Sequence, residues 1–271
     1  SEVAPADGSL AVHVQVSRGL VTAAIEDSAV DVLDPKATPV SEWIPDQTQP
    51  ARRVVLVGLP PPAAQKAAVG DPTLPKELSD GAGLVIANPS DEAVIANVRL
   101  STKDGASAPA GLGPTTIGPQ SAVTVPLADL VKDPVTSVIV DADHPVTAGY
   151  VVPGRTDLVH AAPGQHWQGP AAAALPPGTQ RTLVLTADDG AGSVTVSQRG
   201  PQGKELDAST VTVPDRSTVS TALLPNAASV VVTSGGKVVG TVLVVTGTSY
   251  TSLPLAPVLG PLRVPEVRPG S

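Results

Sequence analysis

Four histidines, His13, His144, His160 and His166, are the side chains best suited to metal binding or proton transfer. His160 and His166 stand six apart, with no cysteine in the chain and no H-E-x-x-H spacing to turn two imidazoles toward one zinc ion. They read as loop residues, His144 as part of a hairpin turn and His13 as a strand residue open to solvent. The carboxylates Asp91, Asp141, Asp143, Asp188 and Asp189 fall in turn-like sequence, where a short acidic side chain caps backbone N–H groups. The D-x-D-x-D-G spacing of a calcium loop is missing. No serine sits in G-x-S-x-G, and no Ser-x-x-Lys has supporting motifs around it. Ser234-Gly-Gly236 leads into no helix and reads as a hairpin turn, not a phosphate cradle. The residues therefore predict no catalysis, no cofactor and no metal. What remains is recognition, for which Trp43, Trp167 and Tyr150 are the candidate partner or ligand contacts, since Trp and Tyr are enriched at interaction surfaces. Each Trp has a competing use as an apolar plug at a domain junction.

The elements that must hold these residues follow from composition. Hydrophobic residues make up 41% of the 271 and charged residues 15%, too apolar a mixture for a disordered chain. Phe, Met and Cys are absent, so a core must be built from Val, Leu, Ile and Ala. Val and Ile are stiff at χ1 and suit a pleated strand better than a helix. Thirty prolines and 25 glycines cut the chain into short segments. The fold class expected is all-β, with tandem immunoglobulin-like β-sandwich domains. A formal charge of −8 with scattered Lys and Arg opposes a nucleic-acid surface. No apolar run reaches the roughly 18 residues of a membrane span. The polar opening Ser1-Glu-Val-Ala-Pro5 predicts a stretch of a longer ectodomain.

Internal similarity organises the chain. Gly83–Asp91, Ala93–Ser101, Thr116–Val125, Ser137–Val140 and Pro145–Val151 match Thr182–Gly190, Gly192–Ser197, Ser209–Val219, Ser229–Val232 and Lys237–Leu243. The period is about 95 residues, near the roughly 100 of an immunoglobulin-like sandwich. Val94, Ala96, Val98 and Leu100 alternate with residues that can face water, as do Val194 and Val196. Leu10–Val16 and Leu20–Ile25 parallel Val135–Val151 and predict the last hairpin of a truncated sandwich, docked on the next domain or completed by upstream sequence. The expected organisation is that hairpin and a Pro-rich connector over 1–50, a sandwich over 51–160, a connector over 161–169, a sandwich over 170–258 and a Pro-rich tail over 259–271. Arg53–Leu59 and Ala171–Leu175 are read as edge-type first strands.

The segments Leu84–Asp91, Ala110–Leu112, Thr116–Leu127 and Val138–Gly149, with the trailing Asp157, resemble an uncharacterised family of actinobacterial extracytoplasmic proteins. The resemblance implies an N-terminal membrane anchor followed by repeated sandwich domains, encoded beside large membrane glycosyltransferases of envelope synthesis. It implies no catalytic residues. The function expected is a non-catalytic scaffold or accessory protein of the cell envelope that binds a protein partner, a glycosyltransferase assembly being the candidate. The alternative is a glycan-binding module of the cell wall.

Overall fold

The computed structural model describes residues 12, 17, 24–29, 40–45, 49–61, 82–152, 159–167, 169–176, 180–235, 238–246 and 249–258. Every regular element among them is a β-strand, and no described helix is long and apolar enough to cross a membrane. Strands β1 (Ala24–Ala29) and β2 (Val40–Pro45) form an antiparallel pair in which Glu26 faces Trp43. The stretch around Trp43 was expected as an irregular connector, and it is a strand. Most of the expected 10–25 hairpin lies outside the described residues.

Two β-sandwiches follow. The first contains β3 (Ala51–Leu56), β4 (Gly83–Asn88), β5 (Val94–Thr102), β6 (Gly105–Ser107), β7 (Thr115–Ile117), β8 (Ser121–Pro126), β9 (Ser137–Val152) and β10 (Val159–Ala161). The second contains β11 (Gly169–Ala174), β12 (Gln180–Ala187), β13 (Gly192–Arg199), β14 (Glu205–Val213), β15 (Thr218–Ala222), β16 (Ser229–Ser234), β17 (Val238–Thr246), β18 (Ser249–Pro254) and β19 (Ala256–Pro257).

The second sandwich has two separate sheets, ordered β14-β13-β16-β11-β19 and β15-β12-β17-β18. In the first, one 16-residue strand serves both sheets. The early part of β9 pairs with β3 and β5, and its later part pairs with β4 and β10. Thus β9 does with one strand what β16 and β17 do with two. This revises the expected turn at Asp141–His144, which is continuous strand at the crossing between sheets. In an immunoglobulin constant-type sandwich the sixth and seventh strands share a sheet. Here β16 and β17, in those places, belong to different sheets, so the sandwich has a strand order of its own.

Alternation fills two cores. Leu84, Ile86, Val94, Val98 and Val140 lie in the first, and Leu183, Leu185, Val194, Val232 and Val242 in the second. The turns Gly118-Pro-Gln-Ser121 and Pro214-Asp-Arg-Ser217 also correspond. Each holds its third residue in the left-handed region, Gln120 at φ 46° and Arg216 at φ 54°.

A third apolar cluster joins the sandwiches. On β3, Val54 and Leu56 enter the first core, while Val55 and the following Val57 face the other way. Ile139 of β9 joins them, against Val184 of β12 with Val239 and Leu243 of β17. The central strands of the facing sheets are therefore buried on both sides, and full burial of each such side chain is worth about 1.5–3 kcal/mol. Gly58, at φ +66°, crosses this layer where a Cβ would stand 3.1 Å from Thr241 Cγ2 and 3.2 Å from Val184 Cγ2.

Beside the apolar patch runs a row of hydroxyls from both sandwiches. Ser137 Oγ lies 2.9 Å from Thr186 Oγ1, which lies 3.0 Å from Thr218 Oγ1, which lies 3.0 Å from Ser101 Oγ. The Gly58 N–H donates to Ser137 at 3.2 Å, and Ser101 donates to the Arg216 carbonyl at 3.0 Å. All four side chains are buried, so each depends on its neighbours for hydrogen bonding. Thr186→Val keeps the shape and strips the central hydroxyl. We expect it to lower unfolding free energy by about 1–3 kcal/mol in urea titrations, with part of the loss recovered when Thr218→Val is added.

Candidate functional site

The rim of the junction carries the charge. Arg53 on β3 donates through Nε to Asp141 Oδ1 at 2.6 Å, and Arg99 on β5 pairs with the other oxygen of the same carboxylate. The Arg53 Nη1 reaches across to the Asp188 carbonyl at 3.4 Å and stands 3.9 Å from its carboxylate. Asp188, at the end of β12, is only 2% exposed and meets His166 Nε2 at 2.8 Å through Oδ1. His166 belongs to the segment between the sandwiches. One network thus ties first sandwich, connector and second sandwich together. The hydrogen bond to Asp141 raises the Arg53 pKa against the opposing effect of burial, and the negative charges of Asp141, Asp188 and Asp189 add to it.

The connector is seated by its backbone. The Gly164 N–H donates to the Val55 carbonyl at 2.9 Å. A Cβ on Gly164 would fall 2.2 Å from Val239 Cγ1, so only glycine permits this approach. Next to it opens a shallow cleft of about 410 Å³ lined by Gln49, Ala51, Arg53, Gly164, Gln165 and His166. Two amides, a guanidinium and an imidazole supply planar hydrogen-bonding groups. Two guanidiniums, of Arg53 and Arg99, answer the three carboxylates Asp141, Asp188 and Asp189, which does not favour an anion. Among the described lining residues there is an imidazole oriented by a carboxylate but no hydroxyl or thiol beside it to complete a nucleophilic arrangement. Among the described residues no three His, Cys, Asp or Glu side chains gather to hold a metal. What the cleft offers is hydrogen bonding to a neutral polar group.

The aromatic candidates lie elsewhere. Tyr150 is fully buried in the first core, its hydroxyl donating to the Pro60 carbonyl at 2.9 Å, and burial pushes its pKa well up. Trp167 is 3% exposed in the second core, where its ring covers Gly240 so closely that a Cβ there would stand 3.1 Å from Trp167 Cη2. Neither side chain faces a partner, because a core without Phe or Met needs their bulk. Trp43 is in β2, and its side chain lies outside the described residues. The three described histidines do not converge: His144 sits in β9 near Asp143, His160 is in β10, and of these only His166 reaches the cleft, while His13 lies outside the described residues. The cleft residues went unread as a site because 22 positions separate His166 from Asp188, and the fold alone brings them together.

A family model described as a family of unknown function, DUF5719, matches residues 1–224. The chain belongs to that family. The match to DUF5719 takes in the first sandwich, the connector and β11 to β15. No curated protein matches the chain. Among solved structures, a calcium-binding mutant of Bacteroides uniformis beta-glucuronidase 2 is similar at 11% identity with a TM-score of 0.16, over 76% of this DUF5719 chain and 32% of that one. The chain thus spans about a third of that enzyme's length.

Two outcomes follow from this geometry. Gly164→Ala should destabilise the protein by about 1–3 kcal/mol through overpacking, and Val239→Ala in the same chain should return much of the loss, both read from thermal unfolding. The Asp143 carboxylate accepts the Ile95 N–H at 2.9 Å, the main cause that holds its pKa below the ordinary 3.8, with help from His144. Its contribution is present above that value and is lost as pH falls through the lower folded value. Amide exchange at Ile95, corrected for the intrinsic pH dependence, should accelerate over that acidic window, and Asp143→Asn should remove the dependence.

Proposed function

We propose that this chain is a non-catalytic extracytoplasmic scaffold of the cell envelope, built of tandem sandwich repeats and binding a protein partner. The observation that carries the reading is the doubly buried junction. Val55, Val57 and Ile139 packed on Val184, Val239 and Leu243 make two sandwiches into one stiff body, as suits a spacer that holds partners in fixed relation. The matching strand pairings and left-handed turns support tandem copies. The sequence resemblance supports the envelope location and a membrane glycosyltransferase assembly as partner.

Crosslinking of the full-length protein in native actinobacterial membranes, followed by mass spectrometry, is expected to recover a membrane glycosyltransferase. Recovery of no envelope protein above a control ectodomain counts against the scaffold. A glycan-binding module is the second reading, favoured by the cleft's neutral balance and by Gln49, Gln165 and His166. The argument against it is that no aromatic face lines the cleft among the described residues. Envelope polysaccharides that bind wild type but not Gln165→Ala on an array would favour this second reading.

A further inference from the structure

The two sandwiches treat one sheet edge in opposite ways. In the first, the edge beside β5 is split into β6 and β7, three residues each, with Pro109, Gly111, Gly113 and Pro114 between them. Short, interrupted strands blunt an edge against pairing with another chain. In the second, the equivalent edge is β14, nine unbroken residues that pair with β13 alone among the described strands. Glu205 through Thr210 are exposed without alternation, so this part of the strand projects past the cover of the opposite sheet. Alternate N–H and C=O groups along it point away from β13, as strand geometry requires.

We propose that β14 is a strand-addition edge whose occupant is β14 of a second copy, antiparallel and centred on Ser209. The strand's own chemistry selects that occupant. Its two acids are already satisfied at home: Ser197 Oγ donates to Glu205 at 2.8 Å and Gln198 Nε2 donates to Asp207 at 3.2 Å. An incoming strand therefore needs no basic residues. In the Ser209-centred register Asp207 faces Val211, Glu205 faces Val213, and the 37%-exposed Leu206 faces Thr212. The nearest acids of the two copies are then four residues apart along the strand, about 14 Å and beyond the screening length at physiological salt. A parallel pair would instead set each acid about 5 Å from its own copy. The remaining residues, Ala208 to Val213, are small or β-branched and uncharged, a composition that pairs with itself. The twofold axis makes the contact isologous and closed, one dimer and no fibre.

Sedimentation equilibrium on the full chain tests this. Wild type is expected to dimerise weakly, as befits a contact made by one strand. Ser209 meets its own copy across the axis, so Ser209→Lys and Ser209→Glu should each be monomeric, and an equimolar mixture of the two should dimerise again. Unchanged melting curves establish that the variants fold. A wild type that stays monomeric up to about 1 mM, the weak limit of useful affinity, overturns the proposal. So does a Ser209→Lys variant that dimerises as wild type does, which would place the contact elsewhere.

Discussion

The constraint on which the structure depends is that the central strands of its two facing sheets are buried on both faces. Val54 and Leu56 fill one core while Val55 and Val57 fill the junction, and β12 divides Leu183 and Leu185 from Val184 in the same way. A sheet buried on both sides reads as an unbroken apolar run, and it cannot be separated from its neighbour without exposing that run to water. The hydroxyl row from Ser137 to Ser101 sharpens the fit. Apolar contact tolerates sliding, whereas four buried hydroxyls in line are satisfied in one register only.

The cleft is a by-product of this stacking. Where the sheets meet at their edge, Arg53 leaves the apolar layer and finds Asp141 beneath it and Asp188 across the gap. The connector must then pass through a space one glycine wide, and it carries Gln165 and His166 to the rim. The polar site therefore exists because the sandwiches are fixed. Were they free to rotate, neither the Arg53–Asp188 approach nor the Gly164–Val55 hydrogen bond would persist.

The all-β character was legible because Val-rich alternation has a period of two, and the correspondence of segments because turns such as Gly118-Pro-Gln-Ser121 recur with their neighbours. The junction was also written in the chain, in Val54-Val-Leu-Val57, Val138-Ile-Val140 and Leu183-Val-Leu185. These runs differ from the alternating Val94–Leu100, and that difference is the mark of burial on two faces against one. Read only as strands, they concealed the interface. Tyr150 and Trp167 are buried instead of displayed as contacts, Trp167 closer to the apolar plug also expected of it: in a chain with so few large side chains, aromatic rings go to the space that Val cannot fill. The turn expected at Asp141–His144 failed because turn-forming residues do not compel a turn when both flanks extend into paired strands.

The long strand β9 has a consequence for the order in which the molecule is made. It is the partner of β3, β4, β5 and β10. All of these except β10 leave the ribosome earlier, and β4 and β5 can form only their local ladders with β8 and with β6 and β7. The first sandwich is therefore a set of waiting hairpins until residue 152 has emerged, when a single strand closes both sheets at once. Pairing so distant in sequence is slow, and the nascent chain meanwhile carries open edges that favour neighbours over self. A protein assembled in this way closes its first sandwich late, and until β9 arrives the edges of β3, β4 and β5 that it will cover stay open.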